Sequence, residues 1–294
     1  NALSYSPEFE LLSSIENLKS KYLEDLDNDS IDQTFILQLL KLQLGKSIYD
    51  KNTDSLAKQV NEPLLRSIFL GIRELLLFSI EQYGLSSIKV FPYKLQALGV
   101  CHALIKDPNI DRVKLNAWIT VTAYTGAFGT TARNSESALN DWLGYLETNE
   151  LKWTLNTKPS IALWKDNISF RNTRFKLWVL AQAYRLDEEK GTSLVKDFHK
   201  LKGKLLHKPI EIIDKSKRSA LFFITNEKSF SLSAVASSDL EVLFLNESML
   251  DEIKCENIEE FREKRETAIF NYEVSNVFTP AANILKLTNY KIEN

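Results

Sequence analysis

Apolar residues recur at three-and-four spacing through most of the first 150 positions, and the chain must satisfy that period before anything else. Leu11, Leu12, Ile15, Leu18 and Tyr22 share one face of a helix opened by Ser6-Pro7, an N-cap followed by proline at the first helical position. Asp27-Asn28-Asp29 ends that helix. Ser30 with Gln33 forms a capping-box pattern for a second one, through Phe35, Leu39, Leu42 and about Tyr49. Asp54 caps a third segment, which Pro63 breaks or kinks. Leu65, Ile68, Phe69, Ile72, Leu76 and Ile80 then define a long apolar face closed by Gly84.

Pro92 restarts the chain in a helix carrying Leu95, Leu98 and Ile105, which Asp107-Pro108 terminates. Asp111 caps the next, with Leu115, Trp118, Ile119 and Thr122 on one side. The loop from Gly126 to Thr131 leads to a helix beginning near Ser135 and holding Leu139, Trp142, Leu143 and Leu146. Beyond Glu150 the period loosens. Positions 153–169 read as loop with a short strand, Asn172 to Arg185 as helix, and Ser193 to Leu206 as another helix. The run Ala220 to Ile224 fits a strand or a buried helix. Asn257-Ile258-Glu259-Glu260 opens a last clear helix with Phe261, Arg265, Ala268, Ile269 and Tyr272 as one stripe. The expected fold is mainly α, a multi-helix bundle-like domain with a short β element between about 153–170 or 219–246. Two regions are expected: a helical domain over 3–150, and a helical C-terminal region over 151–294 continuous with it or packed on it.

Composition narrows the function classes. Nine glycines and seven prolines in 294 residues argue against a Gly-rich nucleotide fold or a turn-dense all-β protein. An apolar content of 44% excludes global disorder. Two cysteines cannot staple a chain of this length, and they fit a reducing cytoplasm. Leu64 to Ile80 is the most apolar stretch, but Arg66, Arg73 and Glu74 interrupt it, so no membrane span and no membrane partner are expected. The Asn1-Ala2 start, without a methionine, reads as what a cleaved tag leaves behind, with the natural segment beginning near Leu3.

Chemistry-bearing motifs are sparse. The three histidines, His102, His199 and His207, make no HxH or HExxH spacing, and no CxxC occurs. Cys101 and His102 are adjacent on a helix, where neighbouring side chains diverge by about 100°. Neither GxxxxGK[ST] nor GxGxxG is present. The Gly126–Thr131 loop with Arg133 and Ser135 reads either as a modest anion site or as an interhelix turn with Ser135 as cap. The five tryptophans read as core anchors. No catalytic residue, metal or cofactor is expected.

The formal net charge of −2 hides a division. Residues 165–218 hold 14 Lys/Arg against 7 Asp/Glu, and residues 219–273 hold 5 against 12. One reading is two solvated faces, or one segment folded against the other. The other is a basic surface for DNA, with Lys196, Lys200, Lys204 and Lys208 at steps of four on a helix flank.

Phe91-Pro92-Tyr93 opens one helix, the segment Trp118 to Phe128 runs into the small-residue loop, and Ser135 to Leu146 continues as helix. This order resembles the helical region of the bacterial family that includes the GmrSD type IV restriction enzymes. There an "LPY" helix precedes a "W…SFSGRFSG"-like segment. Phe261-Arg262-Glu263-Lys264-Arg265 and Ile269 are similar to that family's late "F…R…I" helix. The resemblance covers residues 60–275. It implies a longer parent, possessing a ParB-like N-terminal domain with a "DGQQR" signature that is not found in this sequence. That domain would be a partner, alongside DNA and a second copy of the chain. The resemblance also implies an HNH nuclease with an "HHIFP" run, where this chain has only Leu206-His207-Lys208-Pro209-Ile210 and, later, Asn226-Glu227-Lys228. The expected role is a non-catalytic helical module of a DNA-defence protein, whose parent is a nucleotide-dependent nuclease. The alternatives are a vestigial HNH-like nuclease around His207 and a helical protein-interaction domain unrelated to nucleic acid.

Overall fold

The computed structural model describes residues 11–26, 28–51, 56, 58–128, 131–154, 158–196, 204–227 and 229–293. The sequence-expected caps at Ser6-Pro7 and Asp54 lie outside them. The chain divides into two compact units, Asn1–Asn156 and Thr157–Asn294. Among the described residues there are ten α-helices and only two small sheets, so the fold is mainly α.

The first unit contains α1 (Leu11–Leu23), α2 (Gln33–Gln43), α3 (Glu62–Tyr83), α4 (Lys94–Lys106), α5 (Arg112–Tyr124) and α6 (Ala132–Thr148). α3 packs against α1, α2 and α4. Its apolar face, Leu65, Ile68, Phe69, Ile72 and Leu76, is buried, each such side chain stabilising by about 1.5–3 kcal/mol. Pro63 does not break this helix. It sits in the first turn, capped by Asn61, whose side chain accepts from Leu64 N–H, and Gly84 closes the far end at φ 71°.

The cap of α2 is Asp32, which accepts from Phe35 N–H at 2.7 Å. Ser30, expected in that role, instead accepts from Ile88 N–H at 3.1 Å, tying the α1–α2 turn to the short 3-10 helix after α3. Both oxygens are available locally; the one nearer the helix takes the amide.

Aromatic packing holds α4, α5 and α6 together. Trp118 and Trp142 stack at 4.6 Å, Tyr145 stacks on Trp142 at 5.4 Å, and Phe128 meets Trp118 edge-on at 5.8 Å. Gly99 permits this approach: a Cβ there would stand 2.6 Å from Trp118, and its carbonyl accepts from Trp142 Nε1 at 2.9 Å. Gly99→Ala is therefore expected to destabilise by about 1–3 kcal/mol in urea unfolding, despite alanine's better helix propensity. A neutral or stabilising result would show that the tryptophan pair yields.

The second unit contains β1 (Ser160–Ala162), α7 (Thr173–Lys190), β2 (Leu206–His207), β3 (Phe223–Ile224), α8 (Glu247–Lys254), α9 (Ile258–Tyr272), α10 (Thr279–Ile284) and β4 (Lys291–Glu293). β1 and β4 are parallel, with Ile161 opposite Ile292; β2 and β3 are antiparallel, with His207 opposite Phe223. The core gathers Leu221, Phe223, Phe230, Leu232, Met249 and Phe261. Between α9 and α10 the chain widens into a π-helical stretch, Glu273–Phe278. Pro280 follows two residues after its end, and in a regular α-helix its ring would press on the Asn276 carbonyl.

Candidate functional site

In the sequence-selected anion loop, residues 125–128 form a turn, and Thr131, Ser135 and Glu136 at the start of α6 are hydrogen-bonded within the protein. Thr131, and not Ser135, caps α6, accepting from Asn134 N–H at 3.2 Å. Ser135 is buried and its hydroxyl donates to Phe128 O at 3.4 Å. Glu136, one residue on, accepts from the Ser47 hydroxyl and adds a carboxylate beside the helix start. Arg133 is exposed in the first turn. Gly129 and Thr130 lie outside the described residues.

Of the expected lysine flank, Lys204 and Lys208 do not lie on a helix. Lys196 is exposed in the brief helical stretch 194–196, and Lys200 lies outside the described residues. Lys204 is in a turn, and Lys208 follows strand β2. The chain turns at 204–205 because Leu205 to His207 must line up along Phe223 to Thr225. Thr225 N–H reaches Leu205 O at 3.0 Å. Lys208 is committed to its own loop, donating to Asp214 O at 2.5 Å and Ser216 O at 2.6 Å and lying over the Phe222 ring.

His207 stands opposite Phe223, and Asn226 comes two residues after β3. Among the described residues no three His, Cys, Asp or Glu side chains gather to hold a metal ion. Cys101 and His102 are both buried within α4.

A different basic surface emerges, one not found by helical spacing. Asn167 and Arg218 form an antiparallel bridge, Ile168 N–H donates to Lys217 O at 2.8 Å, and Ser219 N–H donates to Asp166 O at 3.1 Å. This short ladder sets 165–171 beside 215–219. Lys165, Arg171, Lys215 and Lys217 are exposed on it, and none of them is ion-paired with a carboxylate among the described residues. Of its two acidic neighbours, Asp214 is exposed and accepts from Ser216 N–H at 2.7 Å and Ser216 Oγ at 2.6 Å. Those bonds hold its pKa below the usual carboxylate range. Asp166 is exposed and remains on the surface.

The loop joining β2 to this ladder is rigidly built. Glu211 accepts from Ser231 Oγ at 2.5 Å, Leu232 N–H at 3.1 Å and Ser233 N–H at 3.0 Å. Partial burial opposes its charge, but these donors outweigh it and lower the pKa to about 2. Ile212 is buried, whereas Ile210 and Ile213 project at 64% and 89% exposure.

Elsewhere the charge division is partly resolved by folding. Arg174 pairs with Glu273 and Lys190 pairs with Asp239, each joining the basic stretch to the acidic one. Comparison with protein-family models, curated proteins and solved structures finds no match to this chain. Among the described residues no helix is long and apolar enough to cross a membrane.

Proposed function

We propose that the chain is a non-catalytic helical module of a larger, cytoplasmic bacterial DNA-defence protein, and that it contacts the DNA phosphate backbone through the 165–171/215–219 ladder. The observation that supports this reading is the set of four exposed cations on a hydrogen-bonded scaffold, without an ion pair among the described residues. Such groups displace condensed counterions from a duplex and carry no base readout, so binding would be sequence-tolerant.

Fluorescence anisotropy with a labelled duplex across salt concentrations tests it. With four phosphates neutralised, log K should fall against log salt with a slope of about −3 to −4. Arg171→Glu, Lys215→Glu and Lys217→Glu together should abolish binding, whereas Lys196→Glu with Lys204→Glu should leave most of it. Undetectable or salt-insensitive binding overturns the nucleic-acid role. The exposed Ile210 and Ile213 favour a second reading, contact with another protein segment or a second copy. Light scattering of Ile213→Asp against the unchanged chain separates the two.

A further inference from the structure

The outward line of α3 carries a pattern that a solvated helix does not need. Leu70, Leu77 and Ile80 are 43%, 38% and 39% exposed. Arg66 and Glu81 are exposed towards the two ends of the same line. A helix turns by about 100° per residue, so Leu70 and Leu77 lie about 20° apart and Arg66 and Glu81 about 60° apart. All four therefore share one face, away from the buried Leu65, Ile68, Ile72 and Leu76.

The charges midway along the helix are already engaged within the unit. Arg73 donates to both oxygens of Asp25, at 2.5 and 2.7 Å, and to Tyr22 O at 2.8 Å. Glu74 accepts from Arg112 Nη2 at 2.8 Å. Arg66 and Glu81 have no ion pair among the described residues.

The chemistry along this line is palindromic. About the midpoint between positions 73 and 74, Leu70 exchanges with Leu77 and Arg66 exchanges with Glu81. A parallel pairing in register would set Arg66 on Arg66 and Glu81 on Glu81, like charge on like. An antiparallel pairing sets leucine on leucine and arginine on glutamate, twice over, which is the self-complementarity a two-fold interface requires. A polyanion or an anionic lipid surface would match only the arginine end.

We propose that this face is covered by the same face of a second copy, the two α3 helices running antiparallel about a two-fold axis at positions 73–74. Leu70 of each copy meets Leu77 of the other, and Arg66 meets Glu81. α3 has 22 residues and is about 33 Å long, so the contact is at the small end of specific interfaces. Its Kd should be on the order of 10 µM.

Sedimentation velocity on the full chain, from about 1 to about 200 µM, reads this association. Leu70→Asp with Leu77→Asp should keep the parent's circular dichroism and remain monomeric. Arg66→Glu alone and Glu81→Arg alone should each weaken association about tenfold. The double charge swap, and an equimolar mixture of the two single variants, should both restore it. These surface exchanges decide the matter even where the aspartate variant fails to fold. Ile213→Asp should leave association unchanged, which separates this contact from one at 210–213. The proposal is overturned by a chain that stays monomeric at about 200 µM, or by a folded Leu70/Leu77 variant that still dimerises. Swapped charges that associate no better than the single variants, or association lost on Ile213→Asp, overturn it equally.

Discussion

Arg265→Ala is expected to lower the unfolding free energy by about 3–5 kcal/mol. Arg265 lies on α9 within the stripe of Phe261 and Ile269 and is 2% exposed. Its guanidinium donates to the carbonyls of Ala220 and Phe222, the latter at 3.0 Å, and through Nε to Leu243 O at 3.2 Å. The plane lies over the Phe223 ring, 3.6 Å from its centroid. Burial lowers its pKa to about 9, so the side chain is still charged at neutral pH. What compensates that buried charge is a set of backbone dipoles and an aromatic face.

Truncation therefore orphans carbonyls on two separate chain segments and opens a space beside Phe223. Arg265→Lys should recover less than half of the loss, since a single ammonium cannot reach three divergent carbonyls or lie flat on the ring. Urea unfolding midpoints measure both variants, and amide exchange at 219–224 should accelerate in step. A loss under about 1 kcal/mol for the alanine variant would mean that water replaces the guanidinium without penalty.

That role was only half legible in the sequence. The period of α9 put Arg265 on the apolar face, but a charged residue inside a stripe does not say which carbonyls it will meet. Those come from positions 220, 222 and 243, set by tertiary folding. The same limit separates the two units. In the first, caps and periodicity are local: Asp111 opens α5 and Gly84 closes α3 where the sequence predicts. In the second, β1 pairs with β4 about 130 residues away, and no local pattern encodes such a partner.

α8 was missed for another reason. Asn246 caps it by accepting from Met249 N–H at 3.0 Å, but only Met249 and Ile253 are buried, too few positions to establish a period. Lys204 and Lys208 lie off a helix because a step of four suggests one without fixing where the chain leaves it for β2. Lys215 and Lys217 alternate, as residues of an extended segment do beside the Asn167–Arg218 bridge.

Arg174→Ala is expected to cost about 3–5 kcal/mol, and the arrangement around it makes the loss separable into parts. Glu273 is 0% exposed where α9 passes into the π-helical stretch, and Arg174 on α7 grips both of its oxygens, with Nε at 3.4 Å from Oε1 and Nη2 on Oε2. Arg174 also donates to Ala162 O on β1 and stands over Trp164. Removing the arginine leaves a carboxylate in the interior without its forked donor. Removing the charge instead, as Glu273→Gln, leaves a guanidinium that still holds Ala162 O and has some access to water, so about 1–2 kcal/mol should be lost. The double variant should then be close to Arg174→Ala in packing but relieved of the buried charge, and more stable than Arg174→Ala alone by about 1–3 kcal/mol. A double-mutant cycle on urea midpoints reads this directly. Simple additivity of the two single losses would show that Arg174 and Glu273 are not coupled, and that their pairing does not join the basic and acidic stretches of the second unit.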